Sequence, residues 1–171
     1  MPRKTQQVET RLIAEYCKET YSKFPIIMKQ PLGKVSEGLM ADLGYDKALR
    51  ISRPSRPEVD AVVVLPRHLL LIEAKVWSVV NGLAKLPLYK SLVPFTPELK
   101  PYQGLEVLME LVVAWSNDNL EIMARAAGVA VKVYHPPWVE DIVKNMHNYW
   151  TADYRTQRAE KLRLREQLGL E

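Results

Sequence analysis

Two apolar runs joined by a three-residue reversal constrain this chain more than any other feature. Val59-Asp60-Ala61-Val62-Val63-Val64-Leu65 is rich in β-branched residues, and Leu69-Leu70-Leu71-Ile72-Glu73-Ala74-Lys75-Val76 follows directly after Pro66-Arg67-His68. Such composition favours strands, and so short a connection makes the pair an antiparallel hairpin. Ahead of it, Arg53-Pro54-Ser55-Arg56-Pro57 reads as a turn, because its two prolines remove two ladder donors.

The hairpin sits within an alternation of elements. Residues 5–23 carry Val8, Leu12, Ile13 and Tyr16 at helical spacing. On that helix Glu9 falls at the centre of the apolar stripe, within about 60° of Leu12, Ile13 and Tyr16, whereas Glu15 and Glu19 fall toward its edges. Ile26-Ile27-Met28 is a candidate short strand and Ser36 a candidate cap for a helix over 37–43. Lys47–Arg53 is expected as the first of three strands, ahead of the hairpin pair. Asn81–Val93 reads as a helix that Pro87 must start or kink, and Pro94, Pro97 and Pro101 make an irregular loop. Leu105–Trp115 has the near-continuous apolar character of a buried strand. A short helix at 119–127, stopped by Gly128, and a strand at 129–134 complete a β-α-β unit with parallel strands. Residues 138–168 read as helical, with a tail rich in Arg and Lys. The expected fold is one α/β domain with a mixed sheet.

Composition narrows the classes. The chain has 171 residues, 47% hydrophobic and 26% charged, which is a globular balance. Cys17 is the single cysteine, which excludes a disulfide framework and a cysteine-based zinc site. His68, His135 and His147 do not form a zinc-ligand spacing. No run has the length of a membrane span, and the polar N-terminal run predicts no signal peptide, so a cytoplasmic setting is expected. A net charge of +4 permits an anionic partner without demanding one.

Chemistry concentrates on the hairpin. Glu73 and Lys75 are two apart on one strand and share a face. A Pro66-Arg67 loop would set Asp60 opposite Glu73, and an Arg67-His68 loop would set it opposite Lys75. Either register gathers two carboxylates and one ammonium among Val, Leu, Ile and Ala, where burying charge without purpose is costly. Two close carboxylates make a hard-oxygen site for Mg²⁺ or Mn²⁺, and a lysine beside them can orient or help deprotonate a metal-bound water. That is equipment for phosphodiester hydrolysis. The competing reading is an ion-pair cluster that only fixes strand register; for Glu9 it is a salt bridge to Lys75 or Arg11.

The runs Pro57-Glu58-Val59-Asp60 and Ile72-Glu73-Ala74-Lys75 resemble the PD-(D/E)XK, or restriction-endonuclease-like, nuclease superfamily. The element order over residues 5–135 resembles that family's α-β-β-β-α-β core. The resemblance implies that Asp60, Glu73 and the carbonyl of Ala74 hold Mg²⁺ or Mn²⁺ and that Lys75 positions the attacking water. An acid on the first helix often completes the family's site; Glu9 fits, with Glu15 the fallback. Lys85 and Tyr89 stand where many members carry Gln-xxx-Tyr, and would contact nucleic acid. Two departures are visible: Glu58-Val59 intervene between Pro57 and Asp60, and Pro87 lies between Lys85 and Tyr89.

The resulting expectation is a nuclease-like domain over 1–137 and a C-terminal helical arm over 138–171. The expected function is Mg²⁺-dependent DNA hydrolysis, with DNA as partner and no membrane. A homo-oligomer or larger protein assembly is compatible with it. Two alternatives compete. One is a catalytically inactive nuclease-fold protein serving structurally or as a nucleic-acid-binding part of an assembly such as a virion. The other is a hydrolase of another phosphate ester.

Overall fold

The computed structural model describes residues 4–146 and 152–167. Contacts divide the chain into two compact units, Met1–Tyr134 and His135–Glu171. The first contains a five-stranded mixed sheet in the order β1-β2-β3-β4-β5. Its strands are β1 (Ile26–Pro31), β2 (Glu58–Val64), β3 (His68–Lys75), β4 (Glu106–Val113) and β5 (Ala130–Val133). The first three pair antiparallel and the last two add parallel. Helix α1 (Lys4–Tyr21) precedes the sheet, and α2 (Glu37–Leu43) and α3 (Tyr45–Ser52) join β1 to β2. Helices α4 (Val79–Leu92) and α5 (Asp118–Ala126) make the two parallel crossovers. The second unit contains α6 (Pro137–Met146) and α7 (Ala152–Gln167).

The hairpin resolves the open choice of register. Val64 pairs with Leu69, Ala61 with Ile72, and the loop is Pro66-Arg67, so Asp60 is carried opposite Glu73. The sheet is covered on both sides. Helix α1 packs on β2 and β3, while α4 packs on β3 and β4. Helix α1 buries Leu12, Ile13, Tyr16 and Cys17 along one stripe. Each fully buried Leu or Ile contributes about 1.5–3 kcal/mol relative to exposure. Helix α4 continues through Pro87, which lacks the N–H that would reach the Leu83 carbonyl. The apolar core joins Leu69 and Leu71 of β3 and Met109 and Leu111 of β4 to Leu83, Leu86 and Tyr89 of α4 and Leu120 of α5.

A buried carboxylate ties α1 to the sheet. Glu110 on β4 accepts hydrogen bonds from the Tyr16 hydroxyl at 2.9 Å and from the Tyr21 hydroxyl at 3.0 Å. Both tyrosines lie on α1, so these bonds fix the helix against the strand. Burial raises the Glu110 pKa, while the two hydroxyls and Lys132 pull it back only in part.

Two sequence expectations change. Residues 47–53 were expected as a strand; they belong to α3 and the turn of 3-10 helix after it. Tyr45, Ala48, Leu49 and Ser52 stand at helical spacing, Asp46 lies in the first turn and Arg50 in the last, so the charges suit the helix dipole. The third antiparallel strand is instead β1, reaching from Ile26 through to Pro31. The proline-rich stretch is also more ordered than an irregular loop: it forms two 3-10 segments, Val93–Phe95 and Pro97–Tyr102. The β-α-β unit follows expectation, with the Asn117 side chain capping α5 by accepting from the Leu120 N–H at 3.0 Å. His147, and residues 147–151 and 168 of the helix expected over 138–168, lie outside the described residues.

The buried Glu110 makes a stability prediction. Above the ordinary glutamate pKa of about 4.3 the unfolded chain has lost a proton that native Glu110 still holds. In that window the native state binds more protons, so unfolding free energy falls as pH rises. Glu73, also raised, acts in the same direction. Glu110→Gln removes the titrating group and should flatten part of this fall. Urea denaturation from pH 4.5 to 8 checks it; an unchanged slope would refute the account of Glu110.

Candidate active site

The side chains singled out on the hairpin meet where β2 and β3 part. Beyond the Ala61–Ile72 pair the ladder ends, and the Ala74 N–H donates to Asp60 Oδ2 at 3.0 Å. Within a strand the N–H and C=O of one residue leave on the same side, so the Ala74 carbonyl also looks toward β2. Asp60 and Glu73 are both buried, at 7% and 2% exposure. Burial first, and the Asp60 charge second, push the Glu73 pKa well above the ordinary carboxylate range, against the pull of Lys75 and Lys85.

Lys75 holds the centre. Its Nζ donates to Glu9 Oε2 at 2.9 Å and lies 3.3 Å from Glu73 Oε1. Burial is the largest single influence and pulls its pKa down, but Glu73, Glu9 and Asp60 together outweigh it, and the net shift is upward. Lys75 is therefore an ammonium at neutral pH. Glu9 reaches it because the α1 stripe that buries Leu12 and Ile13 aims Glu9 at the same side. Glu15 does not join: it pairs with Arg11 at 2.8 Å along α1. The salt bridge considered for Glu9 thus forms with Lys75, inside the site, and not with Arg11.

From α4, Lys85 brings a half-exposed ammonium to 3.7 Å from Glu73 Oε1. Tyr89, one turn on, lies in the apolar core; burial first and then the Glu73 charge raise its pKa. Glu9, Lys75 and Lys85 line an open cleft of about 490 Å³ with Trp77, Asn81 and Leu88.

One participant carries no sequence motif. Lys29 on β1 forms a hydrogen-bonded ion pair with Asp60 Oδ1. Met28 pairs with Ala61 and Gln30 with Val59, which leaves Lys29 facing Asp60 across the ladder. Its backbone is left-handed, at φ 53°. A non-glycine residue held there costs on the order of 1–3 kcal/mol, which surrounding structure must offset. The strand alternation around Lys29 was the available signal, but it required the β1–β2 register, which depends on distant residues.

The donor set suits a hard divalent cation. Two carboxylates and a backbone carbonyl are within what Mg²⁺ takes from a protein, since it usually keeps several waters. Glu73 Oε2 is buried with no hydrogen-bond partner, an acceptor of the kind a cation would satisfy. Among the described residues, no group of three His, Cys, Asp or Glu side chains is arranged to hold a metal, so carboxylates alone do not build a cage. No described helix is long and apolar enough to cross a membrane.

No family model matches the chain, and no curated protein does. Among solved structures, the chain is similar to a repair endonuclease from Pyrococcus abyssi, at 15% identity and a TM-score of 0.45, over 80% of this chain and 50% of that one. It is also similar to the EndoMS-dsDNA2 complex, at 16% identity and a TM-score of 0.41, over 80% of this chain and 47% of that one. The chain thus spans about half the length of the solved structures it matches.

Gly82 on α4 makes room for Lys75. A Cβ there would lie 2.6 Å from Lys75 Cγ and 3.0 Å from Leu111 Cδ1. Lys75 cannot easily yield, because its tip is held by Glu9 and Glu73. Gly82→Ala gains about 1 kcal/mol of helix propensity but loses about 1–3 kcal/mol to overpacking. The two changes should therefore couple: Gly82→Ala should cost less in a Lys75→Ala background, by about 0.5–3 kcal/mol. Chemical denaturation of the two single variants and the double variant measures this. Additive costs would mean that Gly82 does not hold Lys75 in place.

Proposed function

We propose that this chain is a metal-dependent nuclease of the PD-(D/E)XK superfamily that hydrolyses DNA phosphodiester bonds. The observation that carries the reading is the buried Asp60–Glu73 pair beside Lys75, with Glu73 Oε2 left without a partner. Asp60, Glu73 and the Ala74 carbonyl would hold Mg²⁺ or Mn²⁺. Bound there, the metal would supply Lewis acidity toward a phosphate oxygen and lower the pKa of a water.

The chain's own residues then have distinct tasks. Lys75, held by Glu9 and Glu73, would act as a hydrogen-bond donor that orients the attacking water. Glu9 is a positioning residue: it shares the Lys75 ammonium with Glu73. Lys85, half exposed at the cleft, would meet a phosphate oxygen. Tyr89, one turn further along α4, is buried in the apolar core, so of the two α4 residues Lys85 is the one with the exposure to reach a phosphate. The net positive charge favours approach of the phosphate backbone. The intracellular setting belongs to the same reading.

One observation favours a second reading, a catalytically inactive nuclease-fold protein that serves an assembly: the Asp60 charge is already matched by Lys29 of the same chain. A cleavage assay separates the two. Supercoiled plasmid, linear duplex and single-stranded DNA are incubated with Mg²⁺ or Mn²⁺, with EDTA, Asp60→Ala and Lys75→Ala as controls. The proposal expects cleavage that EDTA abolishes and that falls by about 10²-fold or more in each variant. No cleavage of any substrate by a folded wild type would favour the inactive reading.

A further inference from the structure

Lys29 has a left-handed backbone and is the residue of the cluster that no motif accounts for. Its ammonium sits on Asp60 Oδ1, while the other Asp60 oxygen is taken by the Ala74 N–H. Asp60 therefore has its two oxygens occupied, and Glu73 next to it has one oxygen with no partner. The backbone at Lys29 is left-handed in the middle of a strand, and Ser78 is the only other non-glycine with positive φ among the described residues. This conformation is braced from outside. Arg53 Nη2 donates to the Lys29 carbonyl at 2.9 Å and to Glu58 at 3.0 Å. Strain held in place by neighbouring contacts is a sign of a position selected for where it puts its side chain.

The ammonium also has somewhere to go. Lys29 lines a second cleft of about 290 Å³ with Gln30, Leu49, Arg50 and Arg53. Its side chain is 29% exposed, against 10% for Asp60. It can leave the carboxylate for solvent without unpacking the core.

We propose that Lys29 is a built-in competitor for the divalent-cation position: its ammonium occupies Asp60 Oδ1 in the metal-free protein and leaves that oxygen when the cation binds. The inference rests on the metal-binding reading of Asp60 and Glu73, and adds that the affinity is set by a residue outside the ligand set. One monovalent cation stands in for part of a divalent one. Without it, two buried carboxylates would face each other with Lys75 and Lys85 on the Glu73 side only.

The test is calorimetric titration of Mn²⁺ into the metal-free full chain, as wild type, Lys29→Met and Lys29→Gln, with circular dichroism to establish folding. Lys29→Met keeps the length and removes the charge, and Lys29→Gln also keeps a donor for Asp60. Both variants should bind Mn²⁺ roughly tenfold or more tighter than wild type, the scale of removing one close competing charge. In the wild type, nitrogen NMR of the Lys29 ammonium should show it released as Mg²⁺ saturates the site, which needs no variant. Equal or weaker binding by the variants, or an ammonium signal that does not move while Mg²⁺ binds, overturns the competition and leaves the metal reading intact. No Mn²⁺ binding by any of the three proteins overturns both, and makes Lys29–Asp60 a permanent ion pair.

Discussion

Two carboxylates buried side by side repel each other and lose their hydration, and everything around the end of the β2–β3 hairpin answers that problem. Asp60 and Glu73 are brought together by register, not by choice of a compliant loop: once Pro66-Arg67 makes the turn, Asp60 must face Glu73. The ladder cannot continue past them, so the Ala74 N–H turns to Asp60 in place of a backbone acceptor. The Lys75 ammonium, on the same face of β3, lies against Glu73. A buried charge pair that loses one member costs about 3–5 kcal/mol, so these side chains hold one another in place. Under the proposed reading that expense places charge out of water where the chemistry would use it, while apolar pairs supply register elsewhere in the same hairpin.

The scaffold is built to bring the remaining groups to that point. Helix α1 crosses β2 and β3 on its Leu12-Ile13-Tyr16-Cys17 stripe, and the Tyr16 and Tyr21 bonds to Glu110 fix its position against β4. Glu9 is then delivered to Lys75 as a consequence of where the helix lies. From the opposite side α4 approaches closely enough that Gly82 has no room for a Cβ over Lys75. The same helix presents Lys85 to the cleft and keeps Tyr89 in the core. Local periodicity, packing and placement of chemistry are thus one chain of causes.

The hairpin, its face and Glu9 were legible in the sequence because they follow from local rules. Period-two alternation puts Glu73 and Lys75 together, and helical spacing turns Glu9 inward. The strand order was less legible. Residues 47–53 satisfy a helical spacing as well as an alternating one, and the end charges Asp46 and Arg50 add to the helical side. The consequence was not confined to the fold. Lys29 meets Asp60 only through the β1–β2 pairing. It shows how a long-range pairing, which no window of sequence contains, decides which cation meets a carboxylate.

Counting charge at the site explains why its occupants belong together under the proposed reading. Glu9, Asp60 and Glu73 are matched by Lys29, Lys75 and Lys85. The raised pKa of Glu73 means that the set tolerates a proton there, as a pair of close carboxylates must. A divalent cation removes the need for that proton and for Lys29 at the same oxygen. It then leaves the site with an excess of positive charge, because Lys75 and Lys85 remain. Such a site attracts an anion, and the open cleft at Lys75 and Lys85 is where one can enter. A phosphate would restore the balance. Binding of cation and binding of phosphate are on this account thermodynamically linked, each strengthening the other, through the same small set of side chains that the hairpin first brought together.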